Sequence, residues 1–169
     1  MEIRLAKETD FEEIYQLVQT AFATARVKDG TEQDFVLELR AGDGYLPALE
    51  FVAEAEGRLI GHIMLTKKQV MTPAGPFAGL LLAPLCVALE YRDQGIGGQL
   101  VRHSLEAAKK LGYTGVFLAG DPDYYGRFGF RAAAQFGIQN DSSIPSQFVL
   151  GCEIVPGGLE QAAGVLKID

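Results

Sequence analysis

The spacing of apolar residues in the first part of the chain predicts one strand followed by two helices. Glu2 to Ala6 reads as a short strand, and apolar residues recur at helical spacing from Phe11 to Phe22. Thr9 or Asp10 can cap this helix, because either side chain can accept a hydrogen bond from an unpaired backbone N–H. A polar connection, Arg26 to Gly30, leads to the second helix.

The pattern then changes from helical spacing to strand spacing. The second helix begins at Thr31, and three residues form its apolar face: Phe35, Val36 and Leu39. Two β-type runs between Phe51 and Val70 are joined at Gly57-Arg58, which predicts a hairpin. Thr72 to Gly79 is rich in proline and glycine, so we expect a loop there.

A buried strand, a helix and a second buried strand follow. Gly79 to Leu89 is almost continuously apolar, which is typical of a strand buried on both faces. Pro84 interrupts it, and because proline cannot donate to a ladder, the strand must bulge or part from its neighbour there. Gly97 to Leu111 predicts an amphipathic helix and Thr114 to Ala119 a strand. A unit of this kind is a right-handed crossover that makes its two strands parallel.

The last third of the chain is less regular. Asp121-Pro122 has the form of an N-cap followed by proline, and predicts a short helix that Gly129 ends. Gln147 to Ile154 predicts a late strand, whereas the tail from Pro156 is turn-rich and weakly patterned. No repeat or linker interrupts residues 1–169, so we expect a single α/β domain of the α+β type.

Composition and charge exclude several classes of protein. Lys and Arg number 15 against 22 Asp and Glu, giving a net charge of −7, which argues against a nucleic-acid-binding domain. The longest apolar stretch, Leu80 to Leu89, is too short to span a membrane. Met1 to Arg4 begins no signal peptide, so we expect a cytoplasmic protein without a membrane partner.

The cysteine and histidine content gives no expectation of a metal site. Cys86 and Cys152 are predicted to be reduced thiols, and the two histidines are His62 and His103. Neither C-x-x-C nor any Cys/His ligand spacing occurs, so no metal is expected.

The segment from Leu85 to Leu100 carries the clearest chemical signal. It places a glycine-rich turn between a buried strand and the start of a helix, where unpaired N–H groups and the helix dipole favour an anion. This predicts a site for a pyrophosphate. It is not a P-loop, because no Gly-Lys-Ser/Thr follows, and Leu100 stands at the last glycine position of a dinucleotide fingerprint.

With these residues the sequence resembles the GNAT superfamily of acyl-CoA-dependent N-acetyltransferases, and more narrowly its YhbS-like branch. The family signature R/Q-x-x-G-x-G/A is matched by Arg92, Gly95 and Gly97, and its Tyr-x-x-x-Gly-Phe element by Tyr125 to Phe130. The resemblance covers most of the chain. It implies a single-domain GNAT fold with flanking helices and a mixed, mostly antiparallel sheet whose parallel central strands are splayed.

The resemblance also implies an activity and a set of site residues. The reaction would move an acetyl group from acetyl-CoA to a primary amine, by direct attack in a ternary complex and with no metal. Tyr125, with Tyr124 as second choice, would be the general acid for the departing thiolate. The residues implied to bind coenzyme A are Leu85, Cys86, Val87, Arg92, Asp93, Gln94, Gly95, Ile96, Gly97 and Gly98.

The general base stays open at this point. Several family members carry a glutamate on the strand equivalent to Leu80 to Val87, where this chain has no carboxylate. Glu54 and His62 on the preceding hairpin are candidates, and so is water. This departure keeps alive the alternative of a non-catalytic acyl-CoA-binding or sensor module.

Specificity is expected in two irregular stretches, because loops on a rigid scaffold usually carry it. These are Arg26 to Gly30 and Phe136 to Ser146. The resemblance implies that the acceptor would be a small-molecule amine or a peptide amine. The acyl chain length and the oligomeric state, including a homodimer, stay open.

Overall fold

The computed structural model describes residues 1–24 and 30–169. The helices in these residues are α1 (Phe11–Ala23), α2 (Glu32–Ala41), α3 (Ile96–Lys110) and α4 (Pro122–Tyr125). The strands are β1 (Glu2–Leu5), β2 (Glu50–Ala55), β3 (Arg58–Thr72), β4 (Gly75–Val87), β5 (Gly115–Ala119), β6 (Arg131–Ala132), β7 (Gln139–Asn140), β8 (Val149–Glu153) and β9 (Val165–Leu166). No helix among the described residues is long and apolar enough to cross a membrane.

The chain forms two compact units. The first comprises Met1–Thr66 and Ala83–Ala107, and the second comprises Lys67–Leu82 and Ala108–Asp169. Both β3 and β4 contribute residues to each unit. The expectation of a single domain stays a prediction.

The first unit pairs β1 with β2 and β2 with β3, both antiparallel. The helix α1 buries the face formed by Ile14, Leu17, Val18 and Ala21. Gly61 of β3 lies so close to α3 that an added Cβ would be 2.9 Å from the Leu100 side chain. The small residue therefore allows close packing of helix on strand.

The second unit surrounds β5. This strand pairs in parallel with β4 at Leu80 and Leu81, and antiparallel with β8 along its whole length. The short strands β6, β7 and β9 extend the pairing through β6–β8, β7–β9 and β3–β9. The β4–β5 pair, connected along the chain through α3, confirms that these two strands are parallel. The mixed sheet with helices confirms the α/β fold class.

Pro84 lies where the sequence predicted an interruption of the strand. The registered pairs between β4 and β5 are Leu80 with Val116 and Leu81 with Phe117, and both precede the proline. Burial changes along β4 as well, since the residues from Gly79 to Leu82 are all buried and those after Leu82 alternate.

The loop predicted at Thr72 to Gly79 is wrong. The Thr72 hydroxyl donates to the Gly75 carbonyl at 2.6 Å and accepts from the Ala74 N–H at 3.2 Å, so a two-residue turn suffices. The strand β4 then begins at Gly75 and includes Pro76, which is exposed. Proline is common in loops, but a strand accepts it wherever the ladder does not need an N–H at that position.

Asp10 stands at the predicted cap position of α1, but the predicted hydrogen bond from its side chain to the helix is wrong. Asp10 is the residue before α1, yet its side chain makes no capping bond to that helix. Its carboxylate instead accepts from Arg4 and from the Lys7 N–H, at 2.8 Å each. The charged guanidinium is the stronger donor for a carboxylate.

Several predicted element ends shift by a few residues. Leu89 is 58 % exposed and lies after β4, in a short 3-10 segment, and Leu111 is 51 % exposed beyond the end of α3. On α2, Phe35 is exposed whereas Val36 is buried. Of the predicted connection Arg26 to Gly30, residues 26–29 lie outside the described residues.

The weakly patterned tail has a defined role in the second unit. An added Cβ on Gly158 would clash with the Thr114 carbonyl, and the Thr114 hydroxyl donates to the Gly158 carbonyl at 2.8 Å. This close approach brings Leu159, fully buried, into the core beside Phe117.

Candidate active site

The glycine-rich turn predicted from the sequence lies directly before α3. Asp93 and Gly95 have positive φ angles of 62° and 80°, and the Gln99 N–H donates to the Gly95 carbonyl at 3.1 Å. Gly97 and Gly98 occupy the first turn without side chains. The N–H groups of a first helical turn have no acceptor inside the helix, and the helix dipole places positive potential there. This geometry suits a phosphate or pyrophosphate group.

The Arg92 guanidinium, at the start of this turn, contacts the end of α1. It donates to the Ala21 carbonyl at 2.6 Å, to the Thr24 hydroxyl at 3.0 Å and to the Val87 carbonyl at 3.2 Å. A cation at the C-terminus of a helix also interacts favourably with the helix dipole. In this structure Arg92 therefore fixes the turn against α1 and the end of β4. Sequence reasoning missed this role, because Ala21 lies 71 residues away along the chain.

The segment Leu85 to Val87 forms the end of β4. Leu85 and Val87 are half-buried, whereas Cys86 is buried, and the Ala88 N–H donates to the Ile60 carbonyl at 2.8 Å. Burial raises the pKa of the Cys86 thiol to about 12. A thiol in this state is a poor nucleophile, which argues against an acyl-cysteine intermediate.

Tyr125 lies in the second unit, at the end of α4. Asp121 caps this helix as predicted, because its carboxylate accepts from the Asp123 N–H at 2.9 Å. Burial raises the pKa of the Tyr125 phenol above its usual range, and neighbouring Tyr124 adds to the effect. The hydroxyl therefore keeps its proton at and above neutral pH.

The residues after Tyr125 explain the Tyr-x-x-x-Gly-Phe element physically. Gly129 takes a left-handed conformation, with φ of 92°, that ends the short helix. The turn brings Phe130 back onto Tyr125, with ring centroids 5.8 Å apart. The Tyr124 ring also packs edge-on against Tyr125, with the centroids 4.9 Å apart. At Gly120, an added Cβ would be 2.7 Å from the Tyr125 ring. The motif thus holds one tyrosine ring in place.

The structure places the two candidate bases in different surroundings. The Glu54 carboxylate accepts from Arg4 Nε at 3.0 Å and is about one third exposed. His62 is completely buried, and the Cys86 thiol lies beside its backbone. The structure therefore brings His62, but not Glu54, beside the end of β4.

A buried polar cluster around His62 was not predicted from the sequence. The Glu50 carboxylate, which is completely buried, lies at the centre of this cluster, with Oε2 2.8 Å from His62 Nε2. Arg40 Nη2 donates to the same carboxylate at 2.6 Å, and the Tyr45 hydroxyl donates at 2.6 Å. Burial alone would raise the pKa of Glu50, but the hydrogen bonds from His62 and Arg40 outweigh it and lower the pKa to about 2.

Only weak signals in the sequence could have revealed this cluster. Glu50 directly precedes the first apolar run of the predicted hairpin, and Arg40 lies at the end of the second predicted helix. Nothing local shows that these side chains meet. Among the described residues no group of His, Cys, Asp and Glu side chains could hold a metal ion.

The family of this chain follows from its match to a family model. Residues 2–133 match the model of the Acetyltransferase (GNAT) domain. The chain belongs to the GNAT family and is an acetyltransferase.

Curated relatives and solved structures agree with this assignment. The uncharacterized N-acetyltransferase YjhQ of Escherichia coli K12 is 32 % identical over 130 residues, covering 77 % of this chain and 69 % of YjhQ. The uncharacterized N-acetyltransferase YhbS of the same organism is 35 % identical over 108 residues, which cover 64 % of this chain and 63 % of YhbS.

Two crystal structures contain the cofactor. That of Escherichia coli YhbS with CoA superposes with a TM-score of 0.86 at 26 % identity, covering 98 % of this chain and 88 % of YhbS. A GNAT acetyltransferase from Brucella melitensis with acetyl-CoA has a TM-score of 0.75 at 28 % identity, with coverage of 92 % and 88 %.

Proposed function

We propose that this protein transfers the acetyl group of acetyl-CoA to a primary amine by direct attack in a ternary complex. The observation that carries the proposal is the glycine-rich turn at the start of α3, a site suited to a pyrophosphate in a chain of the GNAT family. The choice of cofactor is supported by the crystal structures of the two similar proteins, one of which contains CoA and the other acetyl-CoA. No metal enters the proposal.

Residues on both sides of the turn would hold coenzyme A. Arg92 to Gly98 would hold the pyrophosphate, with the backbone N–H groups of the turn as donors, and Leu85 to Val87 would offer backbone groups to the pantetheine amides. Arg92 would act by fixing the turn, because its guanidinium already donates to Ala21, Thr24 and Val87.

Tyr125 would be the general acid. Its buried phenol retains the proton that the coenzyme A thiolate must receive when the acetyl group leaves. Tyr124 is the second choice, and its ring is held edge-on against Tyr125. The acceptor would be a small-molecule or peptide amine.

The first experiment tests cofactor binding. A ligand that binds only the folded state at a hundredfold excess over its Kd stabilises that state by about 2.7 kcal/mol, so coenzyme A should raise the melting temperature. Gly97→Asp places a carboxylate where the pyrophosphate would lie, and should abolish the binding heat in calorimetry. Gly42→Asp, the same change at the exposed end of α2, is the matched control and should bind normally. Equal affinity in both variants would contradict the proposal.

The second experiment tests the acid. A panel of amines, amino acids, aminoglycosides and peptides is first screened for free-thiol release from acetyl-CoA. With an accepted amine, Tyr125→Phe should reduce turnover by roughly 10² to 10⁴ while coenzyme A affinity is unchanged.

The pH dependence and a neighbouring variant complete this test. Because burial raises the Tyr125 pKa, wild-type turnover should not decline before about pH 10, the usual phenol value. A selective loss in Tyr124→Phe would move the role to that residue. Wild-type turnover in Tyr125→Phe would exclude this tyrosine as the acid.

A further inference from the structure

The buried cluster of Glu50, His62, Arg40 and Tyr45 contains one polar atom that is left without a partner. His62 Nδ1 is buried and makes no hydrogen bond to any described residue, whereas Nε2 lies 2.8 Å from Glu50 Oε2. A buried polar atom without a partner destabilises the folded state, so such atoms are rare and call for an explanation.

The hydrogen bonds of the cluster decide which nitrogen carries the proton in the neutral ring. The Glu50 carboxylate can only accept, so Nε2 must donate to it, and Nδ1 keeps its lone pair. Glu50 itself cannot rotate freely, because Arg40 donates to both of its oxygens and Tyr45 donates to Oε1. The imidazole is therefore held in one orientation, with an unprotonated Nδ1 that has no hydrogen-bond partner among the described residues.

The charged side chains of the cluster hold the Glu50 carboxylate in one place behind the ring. Arg40 balances the single negative charge of Glu50, and its guanidinium is further held over the Phe11 ring, 3.7 Å from the centroid. When Nδ1 gains a proton, the resulting imidazolium faces the carboxylate directly at Nε2. Glu50 therefore has the position of the carboxylate in a catalytic triad, which bonds to the ring nitrogen opposite the one that exchanges a proton and fixes the orientation of the ring.

The cluster lies beside Leu85 to Val87, the segment proposed to bind coenzyme A. Ile60 accepts from the Ala88 N–H, and the backbone of His62, two residues further along β3, lies beside the Cys86 thiol. The ring itself contacts Glu50 from β2, through Nε2. Arg40 from α2 and Tyr45 from the chain before β2 contact Glu50, and the Cys86 thiol from β4 lies beside the His62 backbone. Apart from the imidazole itself, none of these is a free base.

We infer that His62 Nδ1 is the proton acceptor for the acceptor ammonium, and that Glu50 is the positioning residue that orients it. This inference rests on the proposed acetyl transfer. The ammonium gives one proton to Nδ1, directly or through one water molecule, and the neutral amine attacks the thioester carbonyl. The C–N bond forms, the C–S bond breaks, and the thiolate receives the Tyr125 proton. The imidazolium then returns its proton to solvent, so no other reactant is needed.

The first test compares the two histidines with an amine that wild type accepts. His62→Gln should reduce turnover at least about 10²-fold, the lower end for losing a general base, and leave coenzyme A affinity unchanged. His103→Gln, the same substitution at an exposed residue of α3, should turn over like wild type. Wild-type turnover in His62→Gln would overturn the inference, and so would a loss found in Glu54→Gln instead.

The second test separates a proton acceptor from a packing role. In His62→Ala, added imidazole should restore turnover, whereas pyrazole, which has the same shape but is a much weaker base, should not. Equal rescue by both compounds would show that the ring only fills space and would overturn the inference.

The third test measures the tautomer of the ring, first in wild-type protein and then in variants of the cluster. The ¹⁵N signals of the His62 ring should show a proton on Nε2 and none on Nδ1 in the neutral form, and the opposite tautomer would overturn the inference. Glu50→Gln should change this tautomer balance and lower kcat without changing coenzyme A affinity. If that variant does not fold, Tyr45→Phe, which removes one donor to Glu50, should give a smaller change of the same sign.

Failure of this inference can be told apart from failure of the proposed function. If wild type neither binds coenzyme A nor releases thiol with any amine, the proposed function fails. If wild type does both and the His62 variants match it, only the present inference fails.

Discussion

The interiors of the two units differ in kind. Every buried polar or charged side chain found among the described residues belongs to the first unit: Asp10, Gln33, Glu50, His62, Thr66 and Ser104. The buried cluster of the second unit is apolar throughout: Val70, Phe117, Ala133, Ile138, Val149, Leu159, Ala162 and Leu166.

This difference bears on what each interior can do. An apolar core needs matching volumes, and it tolerates different side chains of similar size. A buried carboxylate such as Glu50 needs specific donors at fixed positions, and removing one partner leaves an uncompensated charge. The interior of the first unit therefore accepts fewer substitutions than that of the second unit. It also contains the oriented His62 imidazole, beside the Leu85 to Val87 segment that is proposed to bind coenzyme A.

The largest effect should come from emptying the apolar core. Phe117 is completely buried in the second unit, so Phe117→Ala should lower the free energy of unfolding by roughly 3–5 kcal/mol, as measured by urea denaturation. Phe148→Ala removes the same group from an exposed position and should cost less than about 1 kcal/mol. Similar losses in both variants would contradict the packing argument.

The next largest effect on the free energy of unfolding should come from low pH, which acts on the first unit. Because the pKa of Glu50 is lowered to about 2 from an ordinary 4.5, its contribution is complete above about pH 4.5 and is lost as pH falls toward 2. The shift corresponds to on the order of 3 kcal/mol. Asp10, whose pKa is lowered mainly by its hydrogen bond from Arg4, acts in the same direction.

Two variants locate this pH dependence. Unfolding curves at pH 6 and pH 3 should show a smaller difference for Glu50→Gln than for wild type. Phe117→Ala should keep the full wild-type difference, because no titrating group is removed. An unchanged pH dependence in Glu50→Gln would place the acid-sensitive group elsewhere.

A smaller effect is expected for the contacts of Arg92 with α1. Arg92→Ala removes the donors to Ala21, Thr24 and Val87, and should lower the free energy of unfolding by about 1–2 kcal/mol. Thr24→Val removes the acceptor for Arg92 and the weaker bond of the same hydroxyl to the Ala21 carbonyl, and should cost about 0.5–1 kcal/mol. Hydrogen exchange at the last turn of α1 should increase in both variants, and more in the first. Equal exchange in wild type and Arg92→Ala would show that α1 does not depend on this contact.

The smallest effect concerns a local cap in the second unit. Asp121→Ala removes the acceptor for the Asp123 N–H and should cost about 1 kcal/mol. Asp121→Asn retains a capping oxygen and should recover most of it. If thermal unfolding shows the same loss in both variants, the charge rather than the hydrogen bond is responsible.

Features that depend on neighbouring residues were predictable from the sequence. The Asp121-Pro122 start of α4, the left-handed Gly129 that ends the following turn and the helical spacing of α1 were all found as predicted. Proline content misled at Thr72 to Gly79, because whether a ladder needs a given N–H depends on the partner strand.

Features that depend on distant residues were decided only by the tertiary structure. The sequence by itself determined the mixed fold, the glycine-rich turn and the family, since each follows from short-range spacing. It left the general base open between Glu54, His62 and water, and it gave Arg92 a role at the cofactor alone. Folding brings Glu50 to His62 and α1 to Arg92, and a polar group removed from water takes its properties from the partners it meets there.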